Sequence, residues 1–152
     1  MDFNTSGNIP KVMLIDDNSG EVIILKAALK RISTEQVDFE AYQNPITALE
    51  HLQELSKTAN GKKDLPNLIL LDLNMPEMNG TEILKILKAD ELLRVIPIVI
   101  MTTSSIEEEL KKCYDLFANS VMQKPMDFDD YVKMLDTITV YWFSFATNIE
   151  VK

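Results

Sequence analysis

The stretch Leu68-Ile-Leu-Leu-Asp-Leu-Asn-Met-Pro-Glu-Met-Asn-Gly80 decides the fold of this chain. Its first four residues are apolar and lead into the carboxylate of Asp72. A short apolar run bounded by turn formers is typical of a strand that is buried on both faces of a parallel sheet. Pro76 and the Asn79-Gly80 pair then end the strand and turn the chain. We therefore expect Asp72 at the carboxyl end of a central strand, where open α/β sheets bind their ligands.

Strand patterns and helical patterns alternate along the rest of the chain. Apolar runs predict the other four strands at residues 11–15, 37–41, 97–101 and from residue 121. This alternation predicts an α/β fold, a flavodoxin-like doubly wound (βα)5 domain whose parallel sheet has the strand order 2-1-3-4-5. We expect a flexible leader at residues 1–10, the domain at residues 11–146 and a C-terminal tail at residues 147–152. Residues 56–67 are interpreted as an enlarged surface loop.

Length, charge and cysteine content narrow the possible functions. The 152 residues fit one domain with a sizeable core. The net charge of 15 − 24 = −9 disfavours DNA and anionic membranes as partners. No apolar run reaches the roughly 20 residues that cross a bilayer, and the first ten residues lack the basic and apolar regions of a signal peptide. Cys113 is the only cysteine, so a reducing cytoplasm is the predicted location.

Polar side chains follow four of the five predicted strands. The first strand ends at Asp16 and Asp17, the third at Asp72, the fourth at Thr102 and the fifth at Lys124. Because the carboxyl ends of parallel strands meet at one edge of a sheet, these groups can converge. Three clustered carboxylates repel one another and require a cation.

The same residues suit phosphoryl chemistry. Mg²⁺ prefers oxygen ligands, and one or two carboxylates with a backbone carbonyl, here that of Asn74, are enough to hold it. Lys124 adds a positive charge and Thr102 a hydroxyl donor, so a phosphoryl group can be held by a metal, an ammonium and a hydroxyl. Asp72 is then the candidate nucleophile that forms an acyl phosphate.

These motifs resemble the signature of response-regulator receiver domains. They are Asp16-Asp17, Leu71-Asp72-Leu73-Asn74-Met75-Pro76 with Gly80, Thr102, and Lys124-Pro125, and the resemblance covers about residues 10–140. It implies a two-component phosphoprotein whose Asp72 accepts phosphate from the phosphohistidine of a cognate histidine kinase or phosphotransfer protein. It also implies that Asp17, Asp72 and the Asn74 carbonyl bind Mg²⁺, with Asp16 acting directly or through water, and that Thr102 and Lys124 bind phosphoryl oxygens. Such a protein signals through protein contacts and is not an enzyme beyond Mg²⁺-dependent self-phosphorylation and autodephosphorylation.

Three features refine the resemblance. Family members often carry an aromatic residue three positions before the lysine, whereas this chain has Val121. The 56–67 loop and the aromatic segment Tyr141-Trp142-Phe143 resemble stand-alone receivers, without an output domain, that work beside phytochrome-type or hybrid histidine kinases. The resemblance also implies a cis bond between Lys124 and Pro125.

Other interpretations remain open at the level of sequence. Asp16 and Asp17 can be a helix cap and its solvated neighbour, Thr102 can cap a helix, and Lys124 alone can be a surface lysine. An aspartate-nucleophile phosphatase of the haloacid-dehalogenase type requires an Asp-x-Asp pair after the first strand, which Asp16-Asp17-Asn18 does not supply. A phosphorylation-independent scaffold or dimerisation module is the alternative function. We expect a homodimer, if one forms, to use the face of the fourth helix, fifth strand and fifth helix.

Overall fold

The computed structural model of the protein describes residues 9–32 and 36–147. The predicted leader and C-terminal tail fall almost entirely outside the described residues and stay predictions. The strands are β1 (Lys11–Ile15), β2 (Asp38–Tyr42), β3 (Leu68–Asp72), β4 (Ile98–Thr102) and β5 (Ser120–Gln123). The helices are α1 (Ser19–Arg31), α2 (Pro45–Leu55), α3 (Ala59–Lys62), α4 (Gly80–Ala89), α5 (Glu107–Asp115) and α6 (Phe128–Val140), with a 3-10 turn at Leu93–Val95 and a π-helical turn at Tyr141–Phe145.

All five strands are parallel and follow the order β2-β1-β3-β4-β5, which confirms the predicted fold. The central strand β3 is buried along its whole length, as its continuous apolar sequence predicts. In the register of the sheet, Leu71 pairs with Ile15 on β1 and with Ile100 on β4. The residues that follow these strands therefore emerge side by side at one edge of the sheet.

The side chains of β3 alternate between two apolar layers. Ile69 and Leu71 pack with α2, α4 and α5 on one face of the sheet. Leu68 and Leu70 pack with α1 and α6 on the other face. Burying one such leucine contributes about 1.5–3 kcal/mol, so the two layers fix the position of the β3 carboxyl end from both sides.

Asparagine and aspartate side chains cap the helices that leave the functional edge. The amide oxygen of Asn18 accepts from the N–H of Gly20 at 2.8 Å, and that of Asn79 accepts from the N–H of Thr81 at 2.9 Å. Asn44 and Asp127 cap α2 and α6 in the same way. These caps satisfy backbone donors that a helix start leaves without an intrahelical partner.

The structure departs from the predicted elements in a few places. The predicted 56–67 loop contains the short helix α3, because Thr58 Oγ1 accepts from the N–H of Gly61 at 2.9 Å and caps it. The apolar spacing of residues 107–117 predicts a helix that reaches Phe117, but α5 ends at Asp115, and Phe117 has a left-handed φ of 70° and an exposed side chain.

The aromatic segment and the Lys124-Pro125 bond add two further findings. Phe143 is buried and Trp142 packs against the α1–α6 layer, whereas Tyr141 is exposed.

No described peptide bond is cis, so the implied cis bond between Lys124 and Pro125 is wrong for this structure. The trans form is intrinsically favoured by about 0.5–1 kcal/mol, and it accompanies a hydrogen bond from Lys124 N to Thr102 O at 2.8 Å. Within the described part of the chain, no helix is long and apolar enough to cross a bilayer.

Candidate phosphoryl and metal site

A tight turn after β3 holds Asp72 in place. The N–H of Gly80 donates to the carbonyl of Leu73 at 2.9 Å, which folds the start of α4 back onto the end of the strand. A Cβ atom at Gly80 would lie 2.2 Å from the carbonyl oxygen of Asp72. Because the neighbour is backbone, only glycine fits this close approach. The Asn79-Gly80 pair therefore fixes where the Asp72 carboxylate points.

Asp16, Asp17, Asp72 and Lys124 converge at this edge and form what we call the acidic cup. Carboxylate oxygens of the three aspartates lie within 4.8 Å of one another. The ammonium of Lys124 lies 2.8 Å from Asp16 Oδ2 and 3.3 Å from Asp72 Oδ1. Asp16 and Asp72 are buried and Asp17 is exposed, so the cup opens to solvent on the Asp17 side.

The cup carries more negative charge than its one lysine balances. Burial raises the pKa of Asp72 to about 6, the charges of Asp16 and Asp17 add to this rise, and Lys124 offsets part of it. Burial alone would lower the pKa of Lys124, but the hydrogen bond and charge of Asp16 and the charge of Asp72 raise it overall. Lys124 is therefore a permanent cation, and a further positive charge would stabilise the ionised form of Asp72.

The other two predicted site residues lie on the neighbouring segments. Thr102 ends β4, one position beyond the Met101 that pairs with Asp72, and it is fully buried. Its Oγ1 accepts a hydrogen bond from the N–H of Ser104 at 2.9 Å. Asn74 is exposed in the turn after β3. The structure thus brings Asp16, Asp17, Asp72 and Lys124 into one cluster, and the roles of Thr102 and Asn74 stay predictions.

Residues 12–136 match the family described as the response regulator receiver domain. The chain belongs to this family. As a receiver domain of two-component response regulators, it is a signal-transduction protein, in agreement with the resemblance of its motifs.

Individual relatives of the receiver domain cover nearly the whole chain. Response regulator Rcp1 of Synechocystis is 33% identical over 148 residues, which span 95% of this chain and 97% of that protein. The crystal structure of the phosphorylated cyanobacterial phytochrome response regulator RcpA has a TM-score of 0.82 at 29% identity, covering 93% of this chain and 99% of that one. The Mn²⁺-bound form of Rcp1 has a TM-score of 0.78 at 29% identity, with coverage of 92% and 99%.

The carboxylates of this receiver domain fit a hard divalent cation. The three aspartates offer oxygen ligands close enough to share one ion, and Mg²⁺ commonly uses one or two carboxylates and keeps several waters. Asp17 is exposed, so solvent reaches the cup at this residue. The donor set contains no cysteine or histidine, so it suits Mg²⁺ or Mn²⁺ better than a softer metal.

Sequence reasoning missed one buried acid near the receiver's cup. Glu21 on α1 is 6% exposed, and the hydroxyl of Tyr131 on α6 lies 3.0 Å from each of its carboxylate oxygens. The signal available in the sequence was an acid among the apolar positions of a helix next to Asp16-Asp17. The position of His51 among helix residues predicts an exposed side chain, but His51 is half-buried and stacks on Tyr42 with ring centroids 5.4 Å apart.

Proposed function

We propose that this receiver domain is a phosphorylation-dependent response regulator that accepts a phosphoryl group on Asp72. The observation that carries the proposal is the buried Asp72 carboxylate at the end of the central strand, 3.3 Å from the ammonium of Lys124 and clustered with two further aspartates. A nucleophile, a fixed cation and a set of metal-binding oxygens are the parts that phosphoryl transfer requires. The likeness to a phosphorylated relative supports the same assignment.

The transfer step follows from these positions. A carboxylate oxygen of Asp72 attacks the phosphorus of a phosphohistidine, the P–O bond forms and the P–N bond breaks, and the released imidazole nitrogen takes a proton from solvent. Lys124 turns from Asp16 and Asp72 toward a phosphoryl oxygen, and Thr102 donates its hydroxyl to another. Hydrolysis reverses the modification: water attacks phosphorus, phosphate leaves and the Asp72 carboxylate is restored. The protein is therefore a phosphoacceptor that turns over only its own phosphoryl group.

Asp17, Asp72 and the backbone carbonyl of Asn74 would hold Mg²⁺, with Asp16 acting directly or through water. When bound, the ion neutralises charge that builds up on the transferring phosphoryl oxygens. The Mn²⁺-bound form of the related Rcp1 supports the binding of a divalent ion. The excess of carboxylates over cations in the cup supports it independently.

The expected donor is a histidine kinase or phosphotransfer protein. Two exposed apolar side chains lie on segments that adjoin the cup: Ile23 on α1, which follows Asp16-Asp17, and Met126, which follows Lys124-Pro125. A small-molecule donor would not require exposed apolar side chains beside the cup, whereas a protein partner can bury them in its interface. No DNA partner is proposed, because the net charge of −9 repels a phosphate backbone.

A second candidate function is a dimerisation module that works without phosphorylation. It is favoured by the exposed side chains of Tyr114 and Phe117 at the end of α5, where the Tyr114 hydroxyl accepts from the N–H of Val121 on the edge strand β5 at 3.1 Å. The face predicted for a homodimer corresponds to α5, β5 and α6 in this structure. Molar mass measured by light scattering with and without a beryllofluoride mimic separates the two functions. Equal mass in both conditions supports the module, and a change in mass on adding the mimic supports the phosphorylation switch.

Incubation with acetyl phosphate and Mg²⁺, followed by intact mass measurement, tests the proposed function. We expect one labile phosphate adduct on the wild type and none on Asp72→Asn. Asp64→Asn is the matched control, because Asp64 is an exposed aspartate remote from the cup in sequence, and it should take up phosphate as the wild type does. An adduct on Asp72→Asn, or none on the wild type, would show that the proposal is wrong.

A further inference from the structure

Glu21 and Tyr131 form a buried hydrogen-bonded pair that the proposed phosphoryl chemistry does not use. Both side chains are almost fully buried, and the Tyr131 hydroxyl lies 3.0 Å from Glu21 Oε1 and from Oε2. Among the described residues, Glu21 is the one buried carboxylate outside the acidic cup. This pair therefore requires an explanation beyond helix packing.

A buried carboxylate is unfavourable for stability unless other groups compensate for it. Burial raises the pKa of Glu21, while the charge of Lys124 and the hydrogen bond from Tyr131 lower it in part. An apolar contact of similar volume between α1 and α6 would stabilise the fold at least as well as this acid does. The acid at position 21 is therefore better explained by an electrostatic effect on the acidic cup than by helix packing.

The pair joins the two segments that carry opposite sides of the cup. Glu21 lies in the first turn of α1, which directly follows Asp16 and Asp17. Tyr131 lies in the first turn of α6, which follows Lys124. The charge of Glu21 acts on Lys124 and contributes to raising its pKa. Glu21 thus acts electrostatically on the lysine, whose ammonium is in direct contact with Asp16 and Asp72.

We propose that Glu21, held by Tyr131, is a positioning residue of the cup, whose carboxylate retains the Lys124 ammonium and strengthens the binding of a divalent cation by the neighbouring aspartates. The inference rests on the proposed function. Asp16 and Asp72 change partners when a cation and a phosphoryl group arrive, and the charge of Asp72 is then masked. Glu21 is not among the clustered ligands, so its carboxylate is not consumed when Asp72 is phosphorylated and hydrolysed. Lys124 therefore retains one nearby anion throughout.

Three variants separate charge, hydrogen bonding and packing. Glu21→Gln keeps an acceptor for Tyr131 but removes the charge, and Glu21→Asp keeps the charge but shortens the reach to Tyr131. Ile138→Val is the packing control, because Ile138 is an apolar α6 residue buried in the same layer. Mg²⁺ binding to the full chain is measured by titration calorimetry near neutral pH, and uptake of phosphate from acetyl phosphate is measured at saturating Mg²⁺.

We expect Glu21→Gln to weaken Mg²⁺ binding about fivefold or more, the order expected when one charge is removed near a divalent ion in a partly solvated site. It should also slow phosphate uptake at saturating Mg²⁺, because Lys124 is held less well. Glu21→Asp and Ile138→Val should bind Mg²⁺ within about twofold of the wild type, since neither changes the local charge.

Two results would overturn the inference. One is Mg²⁺ binding by Glu21→Gln as tight as that of the wild type, and the other is a loss of affinity in Ile138→Val as large as that in Glu21→Gln, which would make the effect one of packing. The proposed function fails separately, by absence of Mg²⁺ binding or of a phosphate adduct in the wild type itself. If the wild type binds Mg²⁺ and forms the phosphate adduct, and Glu21→Gln behaves as the wild type does, then only the role of Glu21 is refuted and the proposed function stands.

Discussion

Replacing Asp72 with asparagine should stabilise the metal-free protein near neutral pH. The cup raises the pKa of Asp72 from 3.8 to about 6, with burial as the largest cause. Each pKa unit corresponds to about 1.4 kcal/mol of free energy, so keeping Asp72 ionised in the folded state opposes folding by about 3 kcal/mol at a pH well above 6. Asparagine has a similar shape and no charge, and Asp72→Asn should therefore raise the free energy of unfolding at pH 8 by about 2–3 kcal/mol.

The direction of the pH dependence follows from the raised pKa. The folded state binds a proton at Asp72 more tightly than the unfolded state does, so proton binding at Asp72 stabilises the fold. This contribution is fully present below the unfolded pKa of 3.8. It is lost as the pH rises through about 6. The wild type should therefore lose stability relative to Asp72→Asn between about pH 4 and pH 7, and the two proteins should approach equal stability toward the acidic end of this window.

Urea unfolding of both proteins in the presence of a chelator, followed by circular dichroism across this pH range, measures the difference. Asp64→Asn is again the control, because Asp64 is exposed and its ion pair with Lys11 at 3.5 Å contributes at most about 1 kcal/mol. Identical pH dependence in the wild type and Asp72→Asn, or lower stability of Asp72→Asn at pH 8, would refute the electrostatic account of the cup.

Three further substitutions test the parts of the fold that hold the cup and its ligands. Gly80→Ala should lower the free energy of unfolding by about 1–3 kcal/mol, because the new Cβ would lie 2.2 Å from the Asp72 carbonyl oxygen; an unchanged urea midpoint would contradict that close approach. Leu70→Ala should cost about 2–5 kcal/mol in the same assay, since Leu70 is fully buried in the central strand, and a loss below about 1 kcal/mol would mean that the layer repacks. Asp17→Asn should weaken Mg²⁺ binding about tenfold or more by calorimetry, because the substitution removes one ligand charge. It should cost little stability, because Asp17 is exposed, and unchanged Mg²⁺ affinity would exclude Asp17 as a ligand.

The sheet and its functional edge could be predicted because their causes are local in the sequence. The continuous apolar run before Asp72 requires burial on both faces, and parallel strands place their carboxyl ends together. The convergence of Asp16, Asp17, Asp72 and Lys124 follows directly from that geometry and is present in the structure. A free cysteine on the apolar side of a helix is most often a small core residue, and Cys113 is fully buried.

The remaining features are not specified by the apolar pattern that predicts the sheet. The Glu21–Tyr131 hydrogen bond joins residues 110 positions apart, and neither residue differs in type from an ordinary helix residue. Helix α3 depends on a single capping hydroxyl within a polar stretch. The early end of α5 depends on the left-handed φ of 70° at Phe117, a conformation that phenylalanine rarely adopts. The Glu21–Tyr131 contact is set by tertiary packing, whereas α3 and the end of α5 depend on local geometry that residue type alone does not predict.

Reductive trapping of the phosphorylated protein with borohydride tests the central claim most directly, because borohydride converts an acyl phosphate on aspartate to homoserine and so marks the modified residue. Peptide mass mapping after phosphorylation with acetyl phosphate and Mg²⁺ should find homoserine at position 72 and at no other aspartate. Homoserine at position 16 or 17, or none anywhere despite a phosphate adduct on the intact protein, would contradict the assignment of Asp72 as the phosphoryl acceptor.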